Sequence, residues 1–361
     1  MDRDCPRRPR GDRAIEALIS RTLGWDSESV RACRLPQTDL VVSRLGYACA
    51  GLVAWDEAPI SSEDVVKVSR EIHIACEGGI TLFDHADLYA FGKAEAVFGE
   101  VLRQSPGLRD KIVIQSKCGQ RFPEAGRPGG PIRADLSRAH IANAVEGSLR
   151  RLATDRLDIL LLHIADTLAE PDEIAQALDD LHKQGKVRYF GVCNYNSGQM
   201  EALKRSVQQP IVVNQIQLGL GHVYPLMDGV ELAVQAVQAI EGNYGYTRIA
   251  GGSTLDYCRL NDITIFAALP LRGILNPPNS ARPELTRCAQ LLADLARSKM
   301  TTPSAIALGW LLQHPAKFLP IIGMPEAEKI LANGETEQVT LSRDEWYDLL
   351  AAATDLRELF Q

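Results

Sequence analysis

Four ionisable side chains of different kinds follow three successive apolar runs in this chain. Phe83-Asp84-His85-Ala86-Asp87-Leu88-Tyr89 carries an aspartate with a tyrosine five residues on. Ile112-Val113-Ile114-Gln115-Ser116 is followed by Lys117, and Leu160-Leu161-Leu162 by His163. Together they suit delivery of a proton to a carbonyl oxygen. A phenol with an ordinary pKa of about 10 is a weak acid near neutrality. A neighbouring lysine, itself held by an aspartate, stabilises the phenolate and lowers that pKa. A histidine can donate to the carbonyl oxygen or orient it. Singly, each residue has an ordinary explanation: surface tyrosine, rim lysine, satisfied core histidine, helix-capping aspartate. A core strand, however, has no packing reason to end in such residues three times running. A parallel barrel that gathers chemistry at the carboxyl ends of its strands does.

The elements needed to position these residues are legible in the pattern. Strand-like runs occupy residues 46–53, 80–83, 111–116, 157–162, 187–192, 211–216, 263–268 and 318–322. They are short, apolar on both faces and often β-branched, as strands covered on both sides should be. Helical patterns lie between and after them, at 61–76, 93–104, 137–152, 171–184, 197–203, 227–240, 284–296 and 303–313. Ser61-Ser62-Glu63-Asp64 is good helix-opening chemistry, and Pro303 suits a first helical turn. Eight βα units make a closed barrel, so the fold class is α/β, a (β/α)8 TIM barrel in a single domain over residues 39–361. Residues 1–38 read as an N-terminal extension, Arg-rich at first, and 337–354 as an extra C-terminal helix outside the barrel. The long connections 118–136 and 241–260 contain several glycines, with prolines in the first, and read as lids or substrate walls.

Composition narrows the partners. In 361 residues, 39 Lys and Arg face 46 Asp and Glu, a net charge of −7, so no general attraction to nucleic acid or anionic lipid is expected. The eight cysteines form no CxxC pair and read as reduced thiols of a cytoplasmic protein. Charges interrupt every apolar stretch before it reaches the length of a membrane span, and the basic start lacks the apolar core of a secretory signal. His85 and Asp87 have no second cluster of ligands near them, so no metal is expected. The expected partner is a small molecule.

In this ordered set the chain resembles the aldo-keto reductase superfamily, whose motif is an Asp and Tyr after the second strand, a Lys after the third and a His after the fourth. The resemblance spans roughly residues 39–354, and Phe83-Asp84-His85-Ala86-Asp87 with Leu319-Pro320-Ile321-Ile322-Gly323 leans towards a bacterial oxidoreductase-like branch. It implies that Tyr89 is the general acid for reduction, tuned by Lys117 and Asp84, with His163 orienting the carbonyl. It further implies that Cys193-Asn194 and Gln215 hold a nicotinamide carboxamide, and that Leu269-Pro270-Leu271-Arg272-Gly273 wraps the pyrophosphate. Gly323 and Asn333 would meet the adenosine phosphate end. NADP(H) is implied rather than NAD(H), with Arg272 and Lys329 as partners for a 2′-phosphate. The family binds its dinucleotide without a GxGxxG fingerprint, and the chain lacks a convincing one. Trp55, Phe122 and Tyr224 are hydrophobic pocket residues in rim loops.

Several positions depart from the family pattern. Cys193 stands where a serine is usual, a weaker hydrogen-bond partner. Ala268 stands where an aromatic stacks on the nicotinamide, a contact worth on the order of 1 kcal/mol. Pro325 occupies a position that often contacts phosphate, and Ile164-Ala165 replaces the usual Arg-Pro after the histidine. The function expected is therefore NAD(P)H-dependent reduction of an aldehyde or ketone to an alcohol, or the reverse. The alternative is a cofactor-sensing barrel resembling the potassium-channel β subunits. A third reading is an enzyme that uses bound nucleotide for isomerisation or dehydration.

Overall fold

The computed structural model describes residues 30–121, 133–226, 254–275, 277, 283–323 and 339–354. An antiparallel pair comes first, β1 (Ala32–Arg34) against β2 (Val41–Ser43). It is followed by β3 (Gly46–Ala48), α1 (Ser62–Glu77), β4 (Leu82–Asp84), α2 (Lys93–Gln104) and β5 (Val113–Cys118). A small hairpin, β6 (Gln120–Arg121) with β7 (Arg133–Ala134), precedes α3 (Arg138–Leu152) and β8 (Leu157–Leu162). Then come α4 (Pro171–Lys183), β9 (Val187–Cys193), α5 (Ser197–Lys204) and β10 (Ile211–Gln217). The chain closes with α6 (Thr254–Leu260), β11 (Thr264–Ala268), α7 (Pro283–Ser298), α8 (Pro303–Leu312), β12 (Leu319–Ile322) and α9 (Arg343–Ala353).

Strands β3, β4, β5, β8, β9, β10, β11 and β12 form one closed parallel barrel in that order, β12 pairing back onto β3. The fold is the (β/α)8 barrel. Its strands are apolar on both faces because helices cover the outside and other side chains fill the inside: all six residues of β8, Leu-Asp-Ile-Leu-Leu-Leu, are buried. Helix starts follow local chemistry. Ser61, Asn196 and Ser342 each form a capping box with the residue three further on, and Pro171 and Pro303 open α4 and α8.

Inside the barrel, Leu35 and Val42 of the β1–β2 hairpin pack with Leu82, Val113, Ile159, Val213, Phe266 and Leu319 into one apolar floor. Each such aliphatic side chain contributes about 1.5–3 kcal/mol by leaving water. Residues 32–34, expected within the extension, thus form a strand whose hairpin packs with the barrel floor. Three further differences from expectation are local. The first barrel strand ends at Ala48 because Cys49–Gly51 turns into a 3-10 helix. The strand carrying Lys117 runs two residues further than expected, to Cys118. Helix α6 lies where a loop was read. The expected helix 227–240 falls outside the described residues, among which no helix is long and apolar enough to cross a membrane.

Candidate active site

Side chains on a barrel strand point inward at every second residue. Leu82 and Asp84 on β4, Val113, Gln115 and Lys117 on β5, and Val213 and Gln215 on β10 therefore rise from floor to mouth, apolar below and polar above. At that polar level Lys117, only 1% exposed, donates from Nζ to Asp84 Oδ1 (2.7 Å), to the His85 carbonyl (2.7 Å) and to Tyr89 Oη (3.0 Å). Asp84 also accepts from Gln115 Nε2 at Oδ1 (2.5 Å) and from Gln215 Nε2 at Oδ2 (2.9 Å), while Gln115 Nε2 lies 3.0 Å from Gln215 Oε1. A buried carboxylate is thus met by three donors, which is what its burial requires.

The loop after β4 is stitched to β5, with His85 N donating to Gln115 O (2.8 Å) and Asp87 N to Lys117 O (3.1 Å). That stitching brings Tyr89, at the start of a 3-10 turn, over Lys117, whose Nζ lies 4.8 Å from the ring centroid. His163 follows β8 directly, its N donating to Cys118 O (2.8 Å), and its ring stands edge-on to Tyr89 at 6.3 Å. Behind β5, the fully buried Glu95 of α2 accepts from Ser116 Oγ (2.6 Å) and Arg151 Nε (2.8 Å), tying two helices to the strand that carries Lys117.

The electrostatics separate the groups. Burial lowers the Lys117 pKa, but Asp84, Tyr89 and Cys193 outweigh it and hold the ammonium above its ordinary range. The Tyr89 phenol, expected to be lowered, is instead pushed up to about 12, because burial exceeds the opposing pull of Lys117. Burial and then Lys117 drive His163 down to about 3, so its imidazole is neutral near pH 7. Among the described residues His163 Nδ1 has no hydrogen-bond partner.

Among the residues expected to meet a cofactor, Cys193 closes β9 as a buried thiol pushed up to about 12, chiefly by burial, and Asn194 Nδ2 lies 3.4 Å from its sulfur. Asn194 is exposed. Gln215 is almost wholly buried, and its amide serves Asp84 and Gln115. Pro270 is buried, Leu271 half-buried and Arg272 exposed in the segment after β11. That segment lies so close to the end of β10 that a Cβ on Gly219 would meet Pro270 O at 2.2 Å. Gly323 follows β12 with only Ala48 O, at 3.9 Å, near its vacant Cβ direction. Non-glycine residues take left-handed backbone at Ala90 (φ 48°), Phe91 (φ 59°), Asn194 (φ 58°) and Leu269 (φ 52°), all in segments that leave the carboxyl ends of barrel strands. Each costs on the order of 1–2 kcal/mol.

Of the pocket residues, Trp55 comes within 6.3 Å of the Tyr89 ring, centroid to centroid. Tyr224 is 63% exposed and packs edge-on to His222 at 5.2 Å. Phe122, Lys329 and Asn333 lie outside the described residues. Gln115, bonded to Asp84 and Gln215, and Phe91, edge-on to Trp55, were not singled out from sequence. Gln115 could have been found, since it sits two residues before Lys117 and so shares its inward face. Among the described residues no group of three or more His, Cys, Asp or Glu side chains could hold a metal ion.

Comparison with known proteins identifies the family. A model of the Aldo/keto reductase family matches residues 49–353. A 6-dehydroglucose reductase of Agrobacterium fabrum (strain C58 / ATCC 33970) is 31% identical over 315 residues, 87% of this chain and 95% of the relative. The oxidoreductase YdhF of Escherichia coli (strain K12) is 33% identical over 276 residues, 76% of this chain and 83% of the relative. The structure of a glycerol dehydrogenase from Gluconobacter oxydans superposes with a TM-score of 0.70 at 24% identity, covering 90% of this chain and 96% of that one, a likeness of fold. The chain belongs to the aldo/keto reductase family and is an oxidoreductase acting on carbonyl or alcohol groups.

Proposed function

We propose that the protein reduces an aldehyde or ketone to its alcohol, or runs the reverse, with NADP(H) rather than NAD(H). One observation carries the reading: Tyr89 Oη stands 3.0 Å from a buried ammonium whose other hydrogen bonds go to Asp84 and His85. An ammonium has donors only. Tyr89 therefore accepts from Lys117, and its own O–H remains for an acceptor at the barrel mouth. In reduction Tyr89 gives this proton to the substrate oxygen, Lys117 stabilises the phenolate left behind, and Asp84 keeps the ammonium in place. His163, neutral near pH 7, can hold the same oxygen through a ring N–H.

A reduced nicotinamide, when bound, supplies hydride to the carbonyl carbon. The residues present fit such a group. Asn194 offers an exposed amide and Gln215 one remaining N–H for the carboxamide, and Gly219 admits the Leu269–Arg272 backbone close to β10. Pro270, Leu271 and Arg272 would hold the pyrophosphate, and Gly323, Lys329 and Asn333 the adenosine end. Arg272, an exposed cation, is the described partner for a 2′-phosphate. A second reading, a nucleotide-sensing barrel, rests on Cys193 and Ala268, which stand where a serine and a stacking aromatic are usual.

Turnover of an aldehyde panel with NADPH and NADH, alongside nucleotide titration by fluorescence quenching, tests the proposal. Tyr89→Phe should lower kcat/KM about a thousandfold while nucleotide affinity holds. An undiminished rate removes Tyr89 as the donor. Saturable nucleotide binding by the wild type with no turnover favours the sensing barrel, and no saturable binding of either nucleotide ends the nicotinamide reading.

A further inference from the structure

We infer that Phe91 is a specificity wall of this site, selecting carbonyl groups borne on a six-membered ring; the inference deepens the reading of Tyr89 just given. Directly after Tyr89 the chain runs through Ala90, Phe91 and Gly92 with φ of 48°, 59° and 85°. Glycine takes such backbone freely, whereas alanine and above all phenylalanine do not. Phe91 holds this backbone with 56% of its surface exposed. Its position gives it a role. It lies two residues from the proposed proton donor, with its ring edge-on to Trp55 at 6.1 Å and 66°.

Trp55 is itself 49% exposed, and its indole N–H is spent on Ala50 O (3.0 Å), so what it presents outward is apolar. Its ring is also 6.3 Å from Tyr89. Tyr89, Trp55 and Phe91 thus form a continuous aromatic surface beside the donated proton. The two outer rings are held relative to each other from below. Lys93, which opens α2 right after Gly92, donates to Asp56 Oδ1 (2.6 Å) and to Ala58 O (3.0 Å), clamping the Trp55 loop to the segment carrying Phe91. Two aromatic rings meeting at a steep angle make a corner. A flat ring can stack on one and meet the edge of the other, while a linear chain engages only one at a time. The substrate class is therefore an aldehyde or ketone attached to a planar or CH-faced six-membered ring.

The test compares Phe91→Gly and Phe91→Ala with the wild type, using benzaldehyde, cyclohexanecarbaldehyde and butanal as substrates. Binding of benzyl alcohol, followed by ligand-observed NMR, supplies a readout that needs no turnover. The wall predicts that the kcat/KM ratio of either ring aldehyde over butanal falls about tenfold in both variants, and that benzyl alcohol binding weakens to match. The glycine variant should keep or raise the wild-type Tm, since glycine suits this backbone. Loss of benzyl alcohol binding in Phe91→Gly, from a protein that turns over no aldehyde, would support the wall and remove the reductase reading. Unchanged ratios and ring affinity overturn the inference. So does a wild type with no preference for ring aldehydes, or a lowered Tm with an equal fall for all three substrates.

Discussion

Lys117 pulls the Tyr89 phenol down while the surrounding wall pushes it up, and burial is the larger effect, leaving the phenol at about 12. A general acid works in its protonated form, which exists below its pKa. Reduction should therefore show no falling limb from Tyr89 between pH 6 and 10, and oxidation, which needs the phenolate, should climb across the same range. Initial rates in both directions at saturating nucleotide check this, and a reductive limb centred below about pH 9 would show that Lys117 wins instead. Asp84, Lys117 and His163 were legible because each ends an apolar run, a position with no packing explanation, and Tyr89 by its place five residues after Asp84. Gln115 was passed over because one polar residue inside an apolar strand looks like tolerance, yet its amide joins Asp84 to Gln215. Phe91 left no sequence signal at all: left-handed backbone is announced by glycine or asparagine, and a phenylalanine hides it.

At the level of elements, strands covered on both sides write themselves as short apolar runs, so all eight barrel strands were readable, while their ends were not. Ala48 ends β3 by turning into Cys49–Gly51, and nothing in Cys-Ala-Gly distinguishes that turn from more strand. The β1–β2 hairpin was missed for a different reason: Ala32-Cys33-Arg34, between Arg31 and Leu35, offers no apolar run to read as a strand. The last helix was legible, but how it is held was not. Trp310 of α8 and Trp346 of α9 stack at 4.8 Å and 13°, and each indole N–H donates to the other residue's carbonyl, at 3.0 and 2.9 Å. Trp346→Ala removes the stack and the bond from its own indole N–H to Trp310 O, while the backbone carbonyl that accepts from the Trp310 indole stays. A loss of about 3 kcal/mol in unfolding free energy is expected, the low end for a large aromatic because Trp346 is only half-buried. Urea denaturation measures it, and a loss below about 1 kcal/mol would show that α9 is held mainly by its other contacts.

Across the whole molecule, buried groups contribute to the response to acid, and they do not all act the same way. His85 and His163 are both driven to about 3 by burial, with Lys117 adding to it, against an ordinary 6.5. As pH falls below about 6.5 the unfolded chain takes up protons at these histidines and the folded protein does not, so stability is lost. Asp87 runs the other way. Burial and Glu95 raise it to about 7 from 3.8, so the folded protein binds that proton first and gains stability over nearly the same window. Each group spans about three pH units, on the order of 3 kcal/mol between pH 7 and 4. His314, lowered to about 4 chiefly by burial, adds a further loss, so the losses exceed the gain. His85 is the one to remove, because its ring nitrogens have no partners among the described residues and its ring stands edge-on to Phe98 at 4.6 Å, a setting that suits phenylalanine. His85→Phe removes one of these losses and leaves the other groups in place. The difference between the wild-type and variant unfolding free energies should therefore grow by on the order of 3 kcal/mol from pH 7 to 4, whatever the surface carboxylates contribute to both. Parallel curves would mean that the His85 imidazole is charged in the folded protein.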